Sequence, residues 1–140
     1  MSAAAVDYPS VSAARERLDD VLDAAARGRV VTIARGRHVS AVVAADRLRD
    51  HLFRTLSPGL RVSLDGGRAV ALLEARPFVS EGADAERALA DLVGSLREYA
   101  DDWELRLQRA PNHADAWGLV QLVRLSSDGQ LLEWFEHGGE

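Results

Sequence analysis

Residues 11–44 read VSAARERLDDVLDAAARGRVVTIARGRHVSAVVA, and this stretch decides the fold. Ala14, Leu18, Val21, Leu22 and Ala25 recur at helical spacing, with Asp19, Asp20, Asp23 and Arg27 on the other side. Ser12 is the expected N-cap, although Arg15 stands where a reciprocal capping box needs Glu or Gln. Gly28 is placed to end the helix in a left-handed C′ conformation. Two runs rich in β-branched residues follow, Val30 to Arg35 and His38 to Val43, joined by Gly36-Arg37, which predicts a tight hairpin. A helix and a hairpin cannot bury both of their apolar faces alone, so the unit is expected to dimerise. Arginines at the helix start and the hairpin tip would then be doubled across a two-fold axis, a geometry suited to duplex DNA.

Working outward, residues 1–10 read as an extended arm, because Pro9 opposes helix. Asp46 to Leu56 returns to helical spacing with Leu48, Leu52 and Leu56 on one stripe, and Ser57-Pro58-Gly59 marks a domain boundary. Beyond it, Leu60 to Leu64 alternates, Asp65-Gly66-Gly67 is a hairpin turn, and Arg68 to Leu73 is the returning strand. Phe78-Val79-Ser80 reads as a short third strand. A long helix is expected from Asp84 to Gln108, its inner stripe running from Leu89 to Leu107. Pro111 stops it, Asn112 is the expected cap of a buried helix over Trp117 to Leu125, and Ser127-Asp128-Gly129-Gln130 has capping-box form and opens a last helix. The fold class is α+β: a helix–hairpin–helix unit over 1–56, then over 60–137 a small antiparallel sheet with a long helix and two C-terminal helices.

Charge divides the chain. Residues 1–56 hold 9 Arg against 7 acids, and residues 57–140 hold 8 Arg against 15 acids, giving +2 and −7 within a total of −5. A basic head suits a polyanion and an acidic tail suits a basic partner. All 17 basic residues are arginine and there is no cysteine, so disulfide and thiol chemistry are excluded. No run is apolar for long enough to cross a bilayer. The opening segment has neither a basic n-region nor an apolar h-region, so a cytoplasmic location away from membranes is expected. His38, His51, His113 and His137 have no metal-type spacing, and no paired catalytic groups stand out; neither metal, cofactor nor enzymatic activity is expected.

With these residues in view, Ser12-Ala13-Ala14-Arg15 and, after Gly28, Val31-Thr32-Ile33-Ala34-Arg35-Gly36-Arg37-His38-Val39-Ser40-Ala41-Val42-Val43 resemble the Phd/YefM antitoxins. That family shows S-x-A-R-x-x-L, then I-T-R-x-G-x-P-x-A-V-L, and the likeness covers residues 8–56. It implies a homodimeric DNA-binding module of a type II toxin–antitoxin system that represses its own operon, with Arg15 and Arg35 on operator DNA. His38-Val39 replaces the family's usual proline, which bears on the local turn. Pro77 to Leu89 is similar to the strand-to-helix passage of HicB-like antitoxins. Arg97 to Trp103 and Ala110 to Val123 resemble PHD-like antitoxins of RelE/RelB-type systems. The second half is thereby expected to hold a cognate toxin, a small basic RelE-like ribonuclease.

The candidate DNA contacts are therefore Ser12, Arg15, Arg35 and Arg37, and the candidate toxin contacts Asp101, Asp102, Trp103 and Trp134. Each has a plainer reading. Hairpin arginines keep strand ends in water, acids along a helix form its solvated face, and tryptophans at helical spacing fill a core. A different class of function is also open: a protein-interaction module, or a stand-alone Phd-like transcriptional regulator with no toxin partner.

Overall fold

The computed structural model describes residues 5–74, 76 and 78–140. The chain is α+β and divides into two units, Met1–Leu48 and Arg49–Glu140. The Ser57-Pro58-Gly59 turn falls inside the second unit; helix α3 (Ala45–Thr55) carries the chain from one unit to the other.

In the first unit the expected helix is two helices, α1 (Val11–Glu16) and α2 (Leu18–Ala26). Arg17 separates them with φ −125° and ψ 32°. The N-cap is Ser10, whose Oγ accepts from the Ala13 N–H at 3.1 Å, and not Ser12. Ser10 takes the extended backbone of an N-cap, φ −153° and ψ 161°, at the first hydroxyl after the arm. The break reorients α2: Val21 and Ala25 are buried, while Leu18 and Leu22 are 52% and 53% exposed. Gly28 does follow the helix with φ +97°.

Strands β1 (Val31–Arg35) and β2 (His38–Val42) pair antiparallel, with Arg35 opposite His38 across the two-residue loop. Gly36 has φ +60° and Arg37 stays at negative φ, the type II′ pattern that suits strand twist. The arm adds itself to β1 in parallel. The Tyr8 N–H donates to Thr32 O at 3.0 Å and the Ala34 N–H to Tyr8 O at 2.9 Å. Asp7 clasps the same strand: its carboxylate accepts from the Thr32 N–H at 2.9 Å and from the Thr32 hydroxyl at 3.2 Å, and it pairs with Arg29. Those bonds hold the Asp7 carboxyl below the usual carboxylate range, the Thr32 backbone N–H first among the causes.

The second unit is built on a sheet in the order β3-β4-β5: Leu60–Asp65, Arg68–Leu73 and Phe78–Gly82. Gly66 and Gly67, at φ +59° and +82°, close the first hairpin in the type I′ pattern. Alternation puts Ala69, Ala71 and Leu73 with Ser80 and Gly82 on the buried side, and α4 (Ala85–Asp102) packs over β4 and β5. Asp84 caps α4 through the Arg87 N–H at 2.9 Å. Instead of continuing as one α-helix, the chain widens into a π-helical turn over Trp103–Leu107, where the Gln108 N–H reaches back to Trp103 O at 3.1 Å.

A 3₁₀ turn (Ala114–Ala116) then leads into α5 (Trp117–Leu125), which has no side-chain cap; Asn112 does not serve as one. Trp117, in the helix that the sequence reads as buried, is 51% exposed, because it sits at the first position of α5, ahead of the buried Val120, Leu122 and Val123. The Ser127–Gln130 capping box opens α6 (Asp128–His137) as read from the sequence. Leu92, Leu96, Val120, Leu122, Leu131 and Trp134 make the centre of this core.

Arg97 fastens the helices of the second unit. Its guanidinium donates to the carbonyls of Val123 and, at 2.9 Å, Ser126 at the end of α5, and to the Asp128 carboxylate at 2.7 Å at the start of α6. One side chain thus satisfies carbonyls that the end of a helix leaves without partners.

Candidate nucleic-acid interface

Three arginines of the first unit, Arg15, Arg35 and Arg37, stand on α1 and on the hairpin. Among the described residues, Arg15, Arg35 and Arg37 are exposed and belong to no ion pair, as is also true of Arg27 and Arg47, whereas Arg17 pairs with Asp20 at 3.4 Å and Arg29 with Asp7. An unpaired surface guanidinium keeps its full charge and its forked donor set for an incoming anion. Arg15 and Arg35 also line one shallow depression of about 350 Å³ with Val11, Ala14, Leu18, Ile33 and Ser40. Helix α1 and strand β1 therefore bring together two residues that lie 20 positions apart. Arg37 stands beyond Gly36 on the hairpin tip, and Ser12 is exposed on α1.

The placement of Arg15 differs from the sequence reading in one respect. With the helix starting at Val11 and ending at Glu16, Arg15 lies in the last turn of α1, where a cation suits the helix dipole. It does not stand at the helix start, where the sequence placed it. Its availability rests on exposure and on the lack of an acidic partner.

Beside these arginines the first unit leaves Val11, Leu18, Leu22 and Val39 from 41% to 53% exposed, against Ala14, Val21, Ala25 and Val31 as the buried apolar set among the described residues. The periodicity of residues 14–25 implied one buried stripe. The signal for a second face was there as well: five apolar positions are more than so small a core can take. The Asp7–Thr32 clasp, by contrast, joins residues 25 apart and left no local trace in the sequence.

The candidate toxin contacts divide between surface and core. Asp101 is exposed on the outer face of α4, in line with the exposed Asp91 and Glu98, and Asp102 is half-buried and pairs with Arg106 at 3.4 Å. Trp103 and Trp134 are 5% and 2% exposed and cannot present a surface. The Trp103 indole N–H donates to His113 O at 2.8 Å, and that of Trp134 to Leu56 O at 2.8 Å; each large ring is buried only because its polar atom has a partner. The exposed tryptophan is Trp117.

Sequence reading also missed a cluster at the turn between α4 and α5. The Tyr99 hydroxyl meets His113 Nδ1 at 2.7 Å, Phe78 stands edge-on to Tyr99 at 5.2 Å, and Arg76 pairs with Asp115 while lying over the Tyr99 ring. Burial pushes the Tyr99 phenol above its ordinary range. No group of three or more metal-type side chains gathers among the described residues, and no helix there is long and apolar enough to cross a membrane.

No family model matches the chain, and no curated protein matches it by sequence. A solved structure does. The chain is similar to a protein of Syntrophomonas wolfei subsp. wolfei described as the antitoxin part of a candidate toxin/antitoxin system. The TM-score is 0.75 at 20% identity, over 93% of this chain and 94% of that one. The two chains share a fold. Because the likeness runs nearly end to end, both units belong to that shared architecture.

Proposed function

We propose that this protein is an antitoxin whose first unit dimerises and binds operator DNA and whose second unit holds a toxin. The observation that carries the reading is the full-length likeness of fold to a protein described as an antitoxin. Arg15, Arg35 and Arg37, exposed and unpaired on α1 and the hairpin, supply the means of gripping phosphate, and the exposed Val11, Leu18 and Leu22 supply an apolar seam for a second copy. A two-fold axis through that seam doubles Arg15, Arg35 and Arg37, so the dimer reads two half-sites of a near-palindromic operator. Ser12 lies three residues before Arg15 on α1 and adds a neutral phosphate contact.

On the second unit the net charge of −7 over residues 57–140 favours a basic partner, a small RelE-like ribonuclease in this reading. Asp101, with Asp91 and Glu98, forms the acidic outer face of α4 that meets it; Asp102 flanks that face, while Trp103 and Trp134 support it from the core. The protein acts by binding alone, in the cytoplasm, without catalysis or a cofactor.

Two measurements test the reading. Purified protein shifts its own promoter in preference to random DNA at moderate salt, and it co-purifies with the product of the adjoining reading frame. Equal affinity for random DNA removes the repressor role, and failure to bind or neutralise the neighbouring product removes the antitoxin role.

A further inference from the structure

Strand β3 is a regular edge strand of six residues, Leu60-Arg61-Val62-Ser63-Leu64-Asp65, which among the described residues is paired on one side only. Edge strands in native proteins are usually blunted by a bulge, a proline or an inward charge, because their free backbone groups invite another strand. This one has none of these devices. The two-residue turn makes Asp65 and Arg68 a hydrogen-bonded pair, and alternation then turns the backbone groups of Ser63 and Arg61 toward β4 as well. Val62 and Leu64 therefore offer their N–H and C=O groups to the open side. Their side chains lie on the same face as Ala71 and Ala69, the face that α4 covers over β4 and β5, yet they remain 42% and 82% exposed.

We propose that β3 pairs antiparallel with β3 of a second copy, joining two three-stranded sheets into one of six. The charge pattern of the strand selects the partner. A two-fold axis at Ser63 sets Val62 opposite Leu64 of the second copy, so the outward backbone groups meet as hydrogen-bonded pairs. The same register sets Arg61 opposite Asp65 of the second copy, and Asp65 opposite its Arg61, on the polar face. A strand with an arginine two residues before its centre and an aspartate two residues after it is complementary to itself in this register. Arg61 holds Glu74 through Nε and keeps its terminal nitrogens for that contact. This contact lies wholly within the second unit and does not depend on the seam proposed for the first.

The chain has no cysteine, so an introduced one reports without interference. In the proposed register the two Ser63 Cα atoms stand about 4.5 Å apart, as in any non-hydrogen-bonded antiparallel pair, which is within disulfide reach. Under mild oxidation the full chain carrying Ser63→Cys becomes a covalent dimer, while a chain carrying Glu98→Cys, an exposed position on α4, stays uncrosslinked at the same concentration. Crosslinking persists in a Leu18→Ser/Leu22→Ser chain, which separates this contact from a dimer made by the first unit. Adding Asp65→Arg sets arginine against arginine twice and slows crosslinking about tenfold at low salt. Crosslinking through Ser63→Cys no faster than through Glu98→Cys, or a rate unchanged by Asp65→Arg, overturns the proposal.

Discussion

The salt dependence of DNA binding offers a quantitative test of the arginine assignment. Each protomer places three unpaired guanidinium groups on α1 and the hairpin, those of Arg15, Arg35 and Arg37, while those of Arg17 and Arg29 already face carboxylates. In a dimer that makes roughly six phosphate contacts, each releasing close to one condensed cation. The slope of log affinity against log salt should then be about −5, from about −0.9 per contact on duplex DNA. Arg15→Ala removes one guanidinium per protomer, hence two per dimer, and makes the slope shallower by about 2. Arg17→Ala should change it far less, because the Arg17 charge is partly met by Asp20. Fluorescence anisotropy of a promoter duplex, titrated at a series of salt concentrations, reads the slope directly. Arg15 is exposed and makes no ion pair, so circular dichroism should show the variant folded as wild type. Equal slopes for wild type and Arg15→Ala, or an equal change from Arg17→Ala, would refute the reasoning.

Other perturbations test other parts. Leu18→Ser/Leu22→Ser removes two half-exposed leucines from each protomer; with roughly 1 kcal/mol lost per side chain still to be buried, operator affinity should fall by a hundredfold or more while the monomer keeps its fold. Arg97→Ala strips hydrogen bonds from Val123, Ser126 and Asp128, and chemical unfolding should show about 2 kcal/mol less stability, the value being held down by water reaching a partly exposed site. Trp134→Phe leaves the Leu56 carbonyl without its donor and opens space in the core, costing about 2 kcal/mol in the same assay. The lowered pKa of Asp7 means its stabilising effect is complete above the ordinary carboxylate value and is lost as pH falls through the lower folded one. Thermal unfolding of wild type should thus weaken more than that of Asp7→Asn below about pH 4, and parallel curves would show the clasp to be idle.

Local chemistry explains what could be read along the chain. Hairpins at Gly36-Arg37 and Gly66-Gly67 were legible because so few residue pairs take those turns, and the α6 capping box because both halves of its reciprocal bond lie within four residues. Alternation in β4 and the inner stripe of α4 were legible because one buried face imposes one period. The N-cap was misplaced from Ser10 to Ser12 because two hydroxyls compete two residues apart and only the backbone entering the helix chooses between them.

Residues 11–44 by themselves determined a helix-and-hairpin unit with more apolar surface than it can bury and more arginine than its acids pair. Tertiary structure decided which members of each set are used. The break at Arg17 turned Leu18 and Leu22 outward while keeping Val21 and Ala25 in. Folding brought Asp7 to Arg29 and left Arg15 and Arg35 unpaired along one depression. In the second unit it buried Trp103 and Trp134 and exposed Trp117, which opens α5. The physical reason is common to these cases. Periodicity and turn chemistry act over a few residues, whereas pairing a charge or covering a ring depends on residues that only folding brings within hydrogen-bond distance.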